Sequence, residues 1–255
     1  MTPGSPADDR PSTRARVAAD RARAALGDRN AALDYRWLRA LSGAPAERVD
    51  SVLAELTELV PYEEQVRAEQ RSGGRAYYAQ FRAPLELYAL VRLLAPDHVL
   101  ETGVSSGVSS THFLLGLRRN GRGTLHSIDL PLPQRSKRFS RRDSPVALPP
   151  GRESGWAMPR ELREGWDLRI GTSETLLPRL VEELPSVGLF LHDSKHTPSH
   201  LLFELHTVRP KLSRGAVVIA DNTVWTGAAF PRFAREVGVP VRRRRRSDLV
   251  GLTMP

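Results

Sequence analysis

The sequence predicts an α/β fold in which a seven-stranded, mainly parallel sheet ends in an antiparallel hairpin and is preceded by a helical extension. Two observations support this. From residue 83 onward, short apolar runs alternate strictly with amphipathic helical patterns, which is typical of a parallel sheet covered by helices on both faces. After the last helical pattern, residues 239–245 and 248–253 follow each other with no room for a helix between them, so we expect these two segments to pair as an antiparallel hairpin.

The elements of this sheet are predicted from the spacing of their apolar residues. The other five strands are expected at 98–102, 124–128, 168–170, 187–191 and 216–220, and the helices at 85–94, 108–117, 173–180, 199–208 and 228–237. Because these strands are parallel, their carboxyl ends lie at one edge of the sheet, and right-handed crossovers connect them. Functional side chains are therefore sought at the strand ends.

The N-terminal part of the chain carries helical patterns and no recognisable chemistry. Residues 1–12 are rich in Pro, Gly, Ser and Asp and predict a disordered tail. Residues 13–75 predict a helical cap or an oligomerisation arm, so a homo-oligomer formed through these helices is an open expectation. The main domain is expected to span residues 76–255.

Composition limits where the protein works and what it binds. The 255 residues include no cysteine, so disulfides and thiolate metal sites are excluded. The sequence shows neither a signal peptide nor an apolar run long enough to cross a bilayer, so we expect a cytoplasmic protein and no membrane partner. The net charge of +9 comes almost wholly from arginine, including the run 242–246. Alternation along a strand would split that run between two faces, so nucleic acid is not the expected partner.

One long connection does not fit the regular alternation. Residues 131–166 contain many prolines, a basic patch between 135 and 142, and Trp156. A connection of this length inside a compact domain is usually a lid, a binding loop or a disordered segment. It leaves the sheet at a carboxyl strand end, where ligands bind in open α/β folds. We therefore predict a lid, with Trp156 as part of the pocket cover.

Three features at consecutive strand ends predict a nucleoside-binding site. The first is a glycine-bearing turn that opens a helix, which lets a ligand approach the backbone closely. The second is Asp129, which ends the next strand and can accept hydrogen bonds from both ribose hydroxyls. The third is the small polar turn at Ser173 after the third strand. The predicted cofactor-binding residues are Glu101, Gly103, Ser106, Gly107, Asp129, Ser173 and Asp193.

The segments that carry these residues resemble a known family. Glu101-x-Gly103 together with the strand-terminal Asp129 looks like motifs I and II of class I S-adenosylmethionine-dependent methyltransferases. Residues 189–197 and 214–222 resemble small-molecule O-methyltransferases of the macrocin and catechol types. The resemblance covers roughly residues 84–251. It implies a Rossmann-like fold, S-adenosylmethionine as the cofactor, a small-molecule acceptor and a role in secondary metabolism or similar.

The ends of the fourth and fifth strands carry the predicted catalytic residues. Asp193, Asp221 and Asn222 offer hard oxygen ligands at adjacent strand ends, which suits Mg²⁺. In the macrocin-type enzymes, the position of His196 holds a general-base histidine, and neutral imidazole suits that task. Lys195 is the rival base, because catechol-type enzymes use a lysine shortly after this aspartate. The sequence thus favours Mg²⁺-assisted O-methylation with His196 as the base.

Three other functions remain open from the sequence. A metal-independent small-molecule N-methyltransferase would use the same scaffold. An RNA-binding methyltransferase would use the Arg242–Arg246 run, although the sequence contains neither the motif of amino-directed base methyltransferases nor a catalytic cysteine. A dehydrogenase would suit Asp129, but the sequence lacks G-x-G-x-x-G at the glycine turn.

Overall fold

The computed structural model describes residues 10–27, 33–73, 81–131 and 148–255. Residues 1–9 of the predicted tail, and the part of the predicted lid that holds the basic patch, lie outside the described residues. All that follows refers to these described ranges.

The described strands form one seven-stranded sheet in the order β3-β2-β1-β4-β5-β7-β6. Strands β1 to β5 are parallel, β7 is antiparallel to β5, and β6 is antiparallel to β7. The predicted mainly parallel sheet and its C-terminal hairpin are confirmed. The strands are β1 (His98–Thr102), β2 (Thr124–Asp129), β3 (Trp166–Ile170), β4 (Val187–His192), β5 (Leu212–Ala220), β6 (Arg242–Arg243) and β7 (Val250–Thr253).

Helices lie on both faces of this sheet. Their ends follow ordinary capping rules: Thr197, for example, accepts the amide hydrogen of His200 while Pro198 occupies the first turn, the two preferences of a helix start. The helices are α1 (Thr13–Leu26), α2 (Tyr35–Ser42), α3 (Ala46–Ala54), α4 (Val60–Gly73), α5 (Pro84–Leu94), α6 (Val108–Asn120), α7 (Ser173–Glu183), α8 (Pro198–Val208), α9 (Thr223–Thr226) and α10 (Ala229–Val237), with 3-10 turns at Glu55–Leu59, Arg160–Leu162 and Arg209–Lys211.

Alternation along the strands divides the apolar core into two layers. Leu189 and Leu191 of β4 face the layer that contains α1 to α6, whereas Phe190 faces the layer of α7, α8 and α10. Successive strand residues point to opposite faces of a sheet, and a strand buried on both faces reads as a continuous apolar run. The N-terminal helices are thus part of the core on one face of the sheet.

Polar contacts also fix the N-terminal helices to the rest of the domain. Glu63 on α4 and His112 on α6 form a buried ion pair, and the indole of Trp37 on α2 donates to the carbonyl of Arg242 on β6. A buried pair of this kind makes the docked position of α4 specific, because separating the partners would leave charges without compensation. Whether these helices also mediate oligomerisation stays a prediction.

The strand order reverses between β1 and β4, since β2 and β3 lie to one side of β1 while β5 lies beyond β4. In open α/β sheets the crevice at the carboxyl ends of such strands is the place where ligands bind. The described part of the chain contains no helix long and apolar enough to cross a membrane.

Candidate active site

The turn after β1 is shaped by close approach of two backbones. Gly103 has φ +90°, and a Cβ built on it would lie 2.0 Å from the carbonyl oxygen of Asp193. The amide of Asp193 in turn donates to the carbonyl of Thr102. Glycine is required here because only it combines this backbone conformation with the missing side chain. The glycine turn and the end of β4 therefore form a single tightly packed floor.

The start of α6 adds two more of the predicted cofactor residues to this floor. Gly107 has φ +87° and caps the helix N-terminus. Ser106 is buried, and its hydroxyl accepts from the side-chain amide of Gln70 on α4. The N-terminal helices thus reach the glycine turn directly, a contact that sequence reasoning gave no sign of.

Glu101 lies beneath this turn with no exposed surface. Its carboxylate accepts hydrogen bonds from the hydroxyls of Ser109, Ser110 and Ser127. Burial raises the pKa of Glu101 to about 7 against the effect of these hydroxyls. The carboxylate ties β1 to β2 and to the first turn of α6, and a direct contact with cofactor stays a prediction.

Asp129 ends β2 beside the glycine turn, as the sequence predicts. One carboxylate oxygen accepts the amide hydrogen of Val104 at 3.1 Å, and the other accepts the hydroxyl of Ser154 at 2.5 Å. Burial raises the pKa of Asp129, and the hydrogen bonds from Ser154 and Val104 act against the rise. The carboxylate is therefore held in a fixed orientation at the sheet edge.

Ser154 belongs to the predicted lid, and the described part of that segment is docked on the glycine turn. The amides of Gly155 and Ala157 donate to the carbonyls of Ser105 and Ser106 at 2.8 and 3.0 Å. Trp156 is buried. The segment from residue 148 onward thus contacts the predicted cofactor residues Asp129 and Ser106; its role as a lid stays a prediction.

The predicted catalytic residues meet at the ends of β4 and β5. His196 Nε2 lies 3.4 Å from a carboxylate oxygen of Asp193 and 3.3 Å from the amide nitrogen of Asn222. The edge of the Trp225 ring approaches the same imidazole, with 5.6 Å between ring centroids. Trp225 is 46% exposed, so this cluster opens to solvent on the side of α9.

Asp221 completes the cluster. It is buried, and its pKa is raised to about 7 by this burial and by the nearby charge of Asp193. No lysine or arginine of the described residues forms an ion pair with either carboxylate. Two carboxylates that repel each other favour a cation between them, and their oxygens with that of Asn222 are donors suited to Mg²⁺. Across the described ranges, however, no three histidine or carboxylate side chains converge on a metal position.

Comparison with known proteins agrees with this geometry. Residues 100–223, which include the glycine turn, Asp129 and the catalytic cluster, match a family model described as a methyltransferase domain. This part of the chain is therefore similar to a methyltransferase domain. No curated protein matches the chain in sequence.

Solved structures share the fold of this chain at low sequence identity. A putative O-methyltransferase from Klebsiella pneumoniae is 17% identical, with 80% of this chain and 95% of that chain covered and a TM-score of 0.54. The O-methyltransferase NovP is 15% identical, with 94% and 99% covered and a TM-score of 0.52. The O-methyltransferase TomG from Streptomyces achromogenes, solved with S-adenosylmethionine, is 18% identical, with 76% and 89% covered and a TM-score of 0.50.

The other predicted site residues lie at the edges of the cluster. The side chain of Lys195 is exposed. Ser173 begins α7, and its hydroxyl lies 3.0 Å from His200 Nε2. His200 and the buried His192 both contact Glu204, with His192 Nδ1 at 2.6 Å.

Sequence reasoning missed Glu204 and Ser154. Glu204 had a signal, because it lies on the buried stripe of α8 between Leu201 and Val208, where a charged residue is unusual. Ser154 had none, because its contact with Asp129 joins two loops that are distant in the sequence.

Proposed function

We propose that this protein is a methyltransferase that moves the methyl group of S-adenosylmethionine to a hydroxyl of a small molecule. In this reaction His196 acts as general base and Mg²⁺ is an assisting cation. The observation that carries the proposal is the His196 imidazole beside Asp193, at the strand edge that also holds the glycine turn. A base and a methyl donor held at one crevice provide what methyl transfer needs, which is alignment and removal of one proton.

The glycine turn and Asp129 would bind the cofactor. The helix α6 points its N-terminus at the turn, so free amides there favour the carboxylate of the methionine part. Asp129 is fixed by Val104 and lies where ribose hydroxyls are expected. One fold neighbour, the O-methyltransferase TomG, was solved with S-adenosylmethionine, which supports the choice of this cofactor.

The chemical step follows from the cluster around His196. The imidazole accepts the proton of the acceptor hydroxyl while the oxygen attacks the methyl carbon, the sulfonium–carbon bond breaks, and S-adenosylhomocysteine and a methyl ether result. Asp193 lies next to the imidazole and stabilises the imidazolium that forms. Trp225 flanks the ring and limits the directions from which an acceptor reaches it.

The oxygens of Asp193, Asp221 and Asn222 would hold the cation. When bound, Mg²⁺ lowers the pKa of a coordinated hydroxyl and fixes its orientation. Their chemistry fits a hard cation. Burial, and after it the nearby charge of Asp193, raises the pKa of Asp221, and a bound cation would favour its ionised form.

The proposal is tested by transfer of labelled methyl from S-adenosylmethionine to a panel of catechols, sugars with adjacent hydroxyls, and amines. We expect products with hydroxyl acceptors, loss of turnover in chelator and its return with added Mg²⁺. His196→Ala should reduce the rate by ~10²–10⁴-fold, whereas the exposed Lys195→Ala should have the smaller effect. A crippling Lys195→Ala with an active His196→Ala would assign the base to Lys195.

A metal-independent N-methyltransferase is the second candidate. It is favoured by one observation, namely that the described histidines and carboxylates do not converge as a three-ligand site. An amine needs no metal to attack once it is deprotonated. Turnover of amine acceptors that survives chelator, with Asp221→Ala nearly silent, would establish this second function in place of the first.

A further inference from the structure

The buried carboxylate of Glu204 lies next to the strand-end cluster and takes no part in the chemistry described so far. Glu204 on α8 has no exposed surface. One of its oxygens accepts from Thr102 Oγ1 and His192 Nδ1, both at 2.6 Å. The other oxygen accepts from Ser194 Oγ at 2.8 Å and His200 Nε2 at 2.9 Å. The carboxylate is therefore bound by four side-chain donors.

The positions of three of these donors are what give Glu204 its importance. Thr102 immediately precedes Gly103 of the cofactor turn, and His192 and Ser194 stand immediately before and after Asp193. Glu204 thus binds the residues on both sides of Asp193 and the residue directly before Gly103. Because the two backbones touch at this point, a change in either one displaces the other.

The electrostatics of Glu204 keep this arrangement rigid. Burial by itself would raise the pKa of the carboxyl group, but the charges and hydrogen bonds of His192 and His200 lower it below its ordinary value. Hydrogen bonds to an ionised carboxylate are roughly twice as strong as neutral ones. Four of them around a fully buried carboxylate fix each donor in one position.

We propose that Glu204 is a positioning residue, which sets the cofactor-binding geometry of this methyltransferase by holding the residues that flank Asp193 and precede Gly103. It touches neither cofactor nor acceptor. Through His200, the same carboxylate also reaches Ser173 at the start of α7, so one group connects three of the strand ends at the cofactor crevice. The inference rests on the proposed cofactor site.

The test compares Glu204→Gln with Glu86→Gln. In Glu204→Gln the amide nitrogen must face one pair of donors, so hydrogen bonds on that side reverse or break. Glu86 is the matched control, because it is equally buried but binds Arg244, which directly follows β6 in the C-terminal hairpin. It contacts no described residue of the crevice. For each folded protein, the dissociation constant of S-adenosylhomocysteine is measured by calorimetry and the melting temperature by circular dichroism.

We expect Glu204→Gln to weaken S-adenosylhomocysteine binding by about tenfold or more, the effect of one or two lost charge-assisted hydrogen bonds. Glu86→Gln should lower the melting temperature while leaving affinity within about twofold of wild type. A residue of purely structural importance would lower only the melting temperature. Unchanged affinity in folded Glu204→Gln, or equal losses in both variants, would overturn the inference.

A milder change covers the case in which Glu204→Gln does not fold. Thr102→Val removes one donor with little change in volume, and we expect roughly three- to tenfold weaker binding; affinity equal to that of wild type would again overturn the inference. The two proposals fail separately. Wild-type protein that does not bind S-adenosylhomocysteine contradicts the proposed function itself, whereas binding that is insensitive to Glu204 and Thr102 contradicts only the positioning role.

Discussion

The contact between Gly103 and Asp193 permits a quantitative test of how the site is built. In Gly103→Ala, the new Cβ would start 2.0 Å from the carbonyl oxygen of Asp193. Real Cβ atoms stay at least 3.0 Å from such neighbours, and the obstacle is backbone that cannot rotate away. The end of β1 must therefore separate from the end of β4 by about 1 Å, at the centre of the proposed cofactor site.

The expected loss of stability has two parts. Alanine at φ +90° costs ~1–2 kcal/mol, because an L-residue is disfavoured in the left-handed region. Relief of the overlap costs a further ~1–3 kcal/mol, the usual range for overpacked positions. For a chain of this length each kcal/mol lowers the melting temperature by ~2–4 °C. Binding of S-adenosylhomocysteine should be lost as well, since the displaced backbone lines the crevice.

The variant Gly121→Ala separates the backbone cost from the cost of the overlap. Gly121 also has a positive φ, +67°, but no atom lies within 4 Å of its added Cβ, so only the cost of ~1–2 kcal/mol for the backbone applies. Urea unfolding gives the free energies, and calorimetry gives the affinities. Two results would contradict this reasoning: the same loss of stability in both variants, or binding of S-adenosylhomocysteine by Gly103→Ala like that of wild type. Either would mean that position 103 does not require glycine because of the close approach of β1 and β4.

Asp129, Glu101 and Arg244 give three further expectations. Asp129→Ala should weaken S-adenosylhomocysteine binding by ~1–3 kcal/mol in calorimetry, because ribose donors lose their acceptor. Glu101 has a pKa raised to about 7, so the stability it contributes is present below pH ~4.5 and lost as pH rises through 7. In urea unfolding, the stability of Glu101→Gln relative to wild type should therefore increase by up to ~3 kcal/mol as pH rises from ~4.5 to above 7. Arg244→Ala leaves Glu86 buried without its partner and should cost ~3–5 kcal/mol, whereas exposed Arg243→Ala should unfold like wild type.

The sheet was predictable because its sequence pattern is strictly local. Leu189-Phe190-Leu191 is apolar at every position, which predicts a strand covered on both faces, and the structure buries these residues in two different core layers. The strand ends that carry Asp129, Asp193 and Asp221 follow from the same pattern, since parallel strands bring their carboxyl ends to one edge. The meeting of His196 with Asp193 was therefore within reach of the sequence.

The polar contacts that hold the site together were not predictable, because each joins distant parts of the chain. Gln70 reaches Ser106, and Ser154 reaches Asp129, across loops whose path no periodicity describes. Helical spacing predicted helices within residues 13–75, but it did not show that these helices share the main core. That is visible only in the structure, where α1 to α4 pack in the same core layer as α5 and α6.

The arginine run illustrates why net charge is a poor guide to partners in this chain. Arg244 is buried and pairs with Glu86 at 2.8 Å, and Arg245 pairs with buried Asp34 at 3.3 Å. Trp37 binds the carbonyl of Arg242. Arg244 therefore carries its charge inside the molecule, and the exposed Arg245 pairs from the surface with a buried carboxylate. These ion pairs connect α5 and the start of α2 to the C-terminal hairpin. A nucleic acid that required the whole run would have to break an ion pair whose loss leaves a buried carboxylate uncompensated, and this argues against the RNA-binding alternative more strongly than composition does.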